Sequence, residues 1–216
     1  MPDLALTHRA SPARSGPAPH PALLLLHGRG TDENDLLPLA AEIDERLFGI
    51  SARAPFQFPW GGYAWYGLDQ EGVGYPDEKT LRESLDLLRQ FVAGIADAYP
   101  IDPARLYVAG FSMGSVMAGT LSLTDPDRVA GGMILSGYFP LHNQLPLKLE
   151  EAAGHPIFQA HGTFDNVIPV TFGRETRDYL QTTPVDLTYR EYPMGHQISG
   201  PELADIRIWM AERLGM

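Results

Sequence analysis

The sequence predicts an α/β fold, a mostly parallel central sheet with helices on both faces, in a single domain spanning residues 1–216. Three observations predict it. Short apolar runs recur at Ala22–Leu26, Arg105–Ala109, Gly132–Leu135, Pro156–Ala160 and Leu187–Tyr192, most of them bounded by Gly, Pro, His or Ser, as suits strands buried on both sides. Stretches with helical spacing lie between them, which implies βαβ units. The length is that of about one domain, and 44% hydrophobic with 20% charged residues is ordinary globular composition.

Taken in order, Leu4–Arg9 reads as an edge strand. Ser11–Pro21, with four prolines and a glycine, reads as the turn into the first core strand at Ala22–Leu26. Leu81, Leu85, Leu88, Val92 and Ile95 form one helical stripe, opened by Asp77 and Glu78 and followed by Pro100. The second helix is expected over Met113–Thr124. A third spans Phe172–Leu180, helped by Glu175, and a fourth Glu202–Leu214, with Pro201 at its start. In such sheets ligands bind beyond the carboxyl ends of the strands, so the loops after the apolar runs should carry the chemistry.

Several function classes fall away. With no cysteine there is no disulfide framework, thiol nucleophile or thiolate metal site. A net charge of −11 repels phosphate backbones and anionic lipid heads, so no nucleic-acid partner is expected. The longest strongly apolar run has five residues and sits behind Pro17, Pro19 and Pro21. A spanning helix needs about 20 and a signal peptide's apolar region about 7–15. No stable membrane insertion is expected, and the location reads as cytoplasmic. The histidines lack H-x-H or H-E-x-x-H spacing, so no metal is expected.

Gly110-Phe111-Ser112-Met113-Gly114 reads G-x-S-x-G between a strand and a helix, the setting of a nucleophile elbow. Small residues at both ends let neighbouring backbones approach while the serine is held on a sharp turn at a helix N-terminus. The alternative is a serine N-cap with chance glycines. A serine needs an imidazole and an orienting acid. His196, in Met194-Gly195-His196-Gln197, follows the last strand and is the base candidate. His161 competes, but precedes the acid candidate in the chain, and His142 and His155 lie in a polar connection. Asp165 is the acid candidate, 53 residues after Ser112 and 31 before His196, with Asp178 and Asp186 as rivals. The alternative is a turn aspartate capping its own backbone.

An oxyanion requires preorganised N–H donors. The amides of Met113, after the nucleophile, and Arg29, in His27-Gly28-Arg29-Gly30-Thr31 after the first core strand, are the candidates, unless that loop is a plain glycine turn. Six aromatics crowd Phe56–Tyr66, against 21 in the whole chain. They either wall a substrate pocket or clamp their own loop to the core. Trp65 is the first pocket candidate, with Leu68 and Phe139 behind it.

Through LLLLHGRGTDEND, AGFSMGS, QAHGTFDNVIP and MGHQIS, in that order, the chain resembles the carboxylesterase and phospholipase branch of the α/β-hydrolases. That branch includes small bacterial carboxylesterases and acyl-protein thioesterases. The resemblance covers about residues 21–214. It implies a single α/β-hydrolase domain, a Ser112–Asp165–His196 triad, oxyanion donors at Arg29 and Met113, no cofactor, frequent homodimers and a small-molecule ester or thioester substrate of short to medium acyl chain. Relatives commonly carry a small or apolar residue in place of Arg29 and often glutamine in place of Met113. Only 17 residues separate Tyr138 from Pro156, too few for a cap domain, so an open cleft is expected. Long-chain lysophospholipase or thioesterase action, and a non-catalytic binding module on the same scaffold, are the competing functions.

Overall fold

The computed structural model describes residues 4–69 and 72–215. In chain order the elements are β1 (His8–Ser11), β2 (His20–Leu26), α1 (Leu39–Ile43), β3 (Phe48–Ala52), β4 (Phe56–Gln57), β5 (Tyr63–Ala64), α2 (Glu78–Ala98), β6 (Ile101–Phe111), α3 (Met113–Thr124), β7 (Gly131–Leu135), β8 (Pro156–Gly162), α4 (Val170–Leu180), β9 (Asp186–Tyr192) and α5 (Gly200–Leu214). Seven strands form one sheet in the order β1-β3-β2-β6-β7-β8-β9, and β4 and β5 form a separate hairpin. Every pairing in the large sheet is parallel except β1 with β3. The chain therefore winds one way from β2 and the other way from β6. This makes the gap at the carboxyl ends of these neighbours a switch point, where ligands bind in open parallel sheets.

Side chains alternate across the sheet. Leu24 of β2 and Val108 of β6 pack in the core beneath α2 and α3, while Leu23 and Tyr107 point to the opposite core with Trp209 of α5. The predicted stripe of α2 is buried, and the Asp77 carboxylate caps the helix by accepting from Thr80 N at 2.9 Å. All twelve residues of α3 are buried. Its small residues permit this: a Cβ on Gly119 would lie 2.9 Å from Ile134 Cδ1. A capping box between Ser199 and Glu202 opens α5, with a proline in its first turn.

The structure departs from expectation at the amino-terminal edge. The edge strand is β1 at His8–Ser11, displaced from Leu4–Arg9; Leu6 before it is buried, and the Thr7 carbonyl accepts from Arg53 N at 2.8 Å. Helix α1, strand β3 and the β4–β5 hairpin have no counterpart among the elements that the sequence predicts. Among the described residues no helix is long and apolar enough to cross a membrane, and no inserted helix or strand lies between β7 and β8.

Candidate active site

Ser112 sits where β6 turns into α3, with φ 54° and ψ −120°, a backbone region that costs a non-glycine residue free energy of order 1–3 kcal/mol. The neighbours enforce it. A Cβ on Gly110 would collide with the Gly114 backbone, and one on Gly114 with the Leu26 carbonyl. The Ser112 amide is also tied to Leu135 O of β7 at 2.9 Å.

The loop after β8 brings in Asp165. Its Oδ1 accepts from the amides of Val167 and Ile168, both at 2.9 Å, and its Oδ2 accepts from His196 Nδ1 at 2.7 Å. With Nδ1 donating to a carboxylate, the neutral imidazole of His196 presents an unprotonated Nε2. That nitrogen lies 2.9 Å from Ser112 Oγ. The Asp165 side chain is fully shielded from solvent while that of His196 keeps 16% exposure, so the acid is held out of water and the imidazole stays partly accessible. The ring also packs on Phe111, at 4.9 Å between centroids.

His161, the rival base, is placed elsewhere. It is fully buried, its Nε2 donates to Ile168 O at 2.8 Å, and Asp165 Oδ2 is 3.5 Å from the same nitrogen. It braces the loop that carries the carboxylate.

The second loop follows β2, beside β6. Leu26 is in register with Gly110, so the residues after each strand meet. A Cβ on Gly28 would lie 3.5 Å from Ser112 Cβ, which shows how closely the two turns approach. Buried His27 accepts from Ala54 N through Nε2 at 3.0 Å and bonds Gly28 O through Nδ1 at 2.7 Å. Burial lowers its basicity and keeps it neutral. Gly30 N bonds Tyr63 O and Tyr63 N bonds Thr31 O, both at 2.9 Å, so β5 clamps the loop from above. Among the described residues neither the Arg29 nor the Met113 amide donates to an intramolecular acceptor. Both residues line the cleft that contains Ser112.

That cleft has a volume of about 360 Å³, its open mouth included. Tyr66, Leu68, Tyr138 and Ile168 form much of its wall. Two expectations need correction. Trp65 is fully buried and does not reach the cleft, because its indole is drawn under the His27 loop. Phe139 is also buried. It packs with Leu123, Ile134 and Leu180 and stacks on Tyr179 at 5.5 Å. In each case it is the chain neighbour, Tyr66 or Tyr138, that faces the cleft. The rule that loops after strand ends carry the site would have reached Tyr138, and the position of Ile168 beside Asp165 was a similar clue. The Tyr66 and Tyr138 hydroxyls lie 3.4 Å apart. Burial pushes both phenols above their usual range, so they stay protonated. Among the described residues no three His, Asp or Glu side chains are arranged to hold a metal ion.

The family model for phospholipase/carboxylesterase proteins matches residues 12–213. The chain belongs to the phospholipase/carboxylesterase family. Among the family's similar proteins, acyl-protein thioesterase 1 of Candida albicans is 27% identical over 217 residues, covering 89% of this chain and 91% of that protein. Lysophospholipase-like protein 1 of Mus musculus is 30% identical over 138 residues, which is 61% of this chain. The chain spans only 58% of the length of that mouse relative. The Bacillus cereus carboxylesterase superposes with a TM-score of 0.83 at 25% identity, covering 96% of this chain and 94% of that one. The phospholipase/carboxylesterase fold is thus the α/β-hydrolase fold seen here, and the chain is a member of a hydrolase family.

Proposed function

We propose that this chain is a serine hydrolase that cleaves carboxylic esters of short to medium acyl chain through an acyl-serine intermediate. The observation that carries the reading is the continuous hydrogen-bonded line from Ser112 Oγ through His196 to Asp165, at 2.9 and 2.7 Å. In the first half-reaction Ser112 Oγ bonds the substrate carbonyl carbon while its proton moves to His196 Nε2. The carbonyl oxygen becomes an oxyanion held by the amides of Arg29 and Met113. Collapse breaks the bond to the alcohol, which leaves with the proton from Nε2. Water then attacks the acyl-serine, gives its proton to Nε2, and the serine recovers it as the acid departs. Asp165 fixes the imidazole tautomer and stabilises its charged form. A small-molecule ester as sole substrate, no cofactor and a cytoplasmic setting belong to the same proposal.

Labelling with a fluorophosphonate probe tests the nucleophile. The native protein should gain one adduct on Ser112 and Ser112→Ala none, with ester turnover lost in parallel. Turnover persisting in Ser112→Ala sinks the scheme.

A second reading, action on long acyl chains, draws support from an apolar groove along Phe56–Trp60 beside the cleft and from the names of the fungal and mouse relatives. A series of p-nitrophenyl esters separates the two. Activity that falls beyond about six carbons supports the short-chain reading, because each extra methylene with no apolar wall to meet gains nothing.

A further inference from the structure

The catalytic proposal uses only the main-chain amide of Arg29, yet its side chain occupies a distinctive position. It lines the cleft over Ser112 and also the adjoining groove, of about 730 Å³, walled by Phe56, Phe58, Pro59 and Trp60. Its guanidinium carbon lies 5.3 Å from the centroid of the Phe58 ring, within cation–π range. Arg29 is exposed. Several arginines are paired, Arg46, Arg53, Arg89, Arg174 and Arg213 each having a carboxylate within 3.3 Å. Among the described residues no carboxylate pairs with Arg29, and no acidic side chain lines either cavity.

These facts combine into a selective arrangement. A guanidinium held over an aromatic ring with no carboxylate partner has N–H groups free to meet a planar anion. The chain as a whole carries −11 and repels anions at long range. Screening limits that repulsion to about 8–10 Å at ordinary salt, so a cation beside the nucleophile governs the contact itself. The narrower cleft over Ser112 suits the acyl group, and the wider aromatic groove suits the alcohol part. We propose that Arg29 makes the enzyme selective for esters whose alcohol part is a flat aromatic bearing an anionic group, with the ring along Phe58 and Trp60 and the anion on the guanidinium. This rests on the ester-hydrolase reading above.

The test compares 4-acetoxybenzoate with phenyl acetate in the native protein, Arg29→Gln and Arg29→Glu. The readout is the ratio of the two kcat/KM values, so that any displacement of the residue-29 amide, which affects both esters, cancels. The ratio should drop about tenfold in Arg29→Gln and further in Arg29→Glu, and in the native protein it should decline with added salt. A ratio that stays within about twofold of native in Arg29→Gln overturns the proposal. A calorimetric arm needs no turnover. The amide analogue 4-acetamidobenzoate should bind the native protein more tightly than neutral acetanilide, and Arg29→Gln should erase the difference. Equal binding of the two by the native protein overturns the inference. Charge-selective binding without hydrolysis of either ester overturns the hydrolase reading instead, and hydrolysis of both esters without charge selectivity overturns only the inference.

Discussion

The indole N–H of Trp65 donates a 2.9 Å hydrogen bond to the main-chain carbonyl of His27. The Trp65 amide meanwhile approaches Met113 Sδ at 3.3 Å. One buried residue therefore ties the loop that bears the Arg29 amide to the helix that bears the Met113 amide. Trp65→Phe keeps most of the apolar surface but leaves a buried carbonyl unpaired, at a cost of about 1–3 kcal/mol. The expected result is a lower denaturant midpoint and a fall of about tenfold or more in kcat with a smaller change in KM, because the donors act on the transition state. Unchanged kcat in a destabilised protein would show that the bond serves stability alone.

Asp165→Asn separates geometry from charge. An asparagine oxygen can still accept from the amides of Val167 and Ile168, so the loop should keep its shape. Its NH₂ would then face His196 Nδ1 and demand the opposite tautomer, putting a proton on the nitrogen that faces Ser112. Turnover should drop roughly 10³–10⁴-fold with little change in melting temperature. A loss below tenfold would remove Asp165 from the proposed triad.

Strain at the nucleophile predicts a difference between two inactive variants. Ser112 holds φ 54°, which glycine adopts freely and alanine does not. Ser112→Gly should be about 1 kcal/mol or more stable than Ser112→Ala, by urea denaturation. Equal stability would mean that the turn relaxes when the hydroxyl is removed.

Glu202 predicts a pH dependence of stability. Its side chain is fully buried, Oε2 accepts from Ser199 N at 3.2 Å, and Oε1 has no partner among the described residues. Burial, the dominant influence, pushes the carboxyl up to about 7 from 4.5. Between these values the folded protein holds a proton that the unfolded chain has released, so stability falls as pH rises from 4.5 to 7 and levels off above. The full effect is about 3 kcal/mol at most. Glu202→Gln, which retains an acceptor for Ser199, should gain stability over the native protein as pH rises from 5 to 8, as read from melting temperatures. A constant difference across that range would exclude titration of this group.

The parts of the molecule legible in the sequence are those whose signal is local. Runs such as Leu23–Leu26 and the stripe from Leu81 to Ile95 declare themselves because burial on one or both faces selects large aliphatics at fixed spacing. Strand β3 does not, because its Gly49 and Ser51 imitate turn residues. The glycine answers a tertiary demand, since a Cβ there would lie 2.9 Å from Ala40 Cβ of α1. With five residues, α1 is too short to show a period. At the site, Ser112, Asp165 and His196 are marked by the turns that carry them, and the structure brings them together. The walls of the cleft are different. Whether Trp65 or Tyr66 faces substrate depends on how the β4–β5 hairpin is laid over the His27 loop, and no local pattern encodes that.

Helix α3 has no solvent-facing side. A substitution anywhere along it must be absorbed by close-packed neighbours, so the element that aims the serine is poor ground for acquiring new substrates. Diversification, natural or in the laboratory, has to come from the rim, where Arg29 and Leu68 sit on connections that tolerate change. The chemistry is anchored in the molecule's least forgiving layer, and its choice of customer is written in the most permissive one.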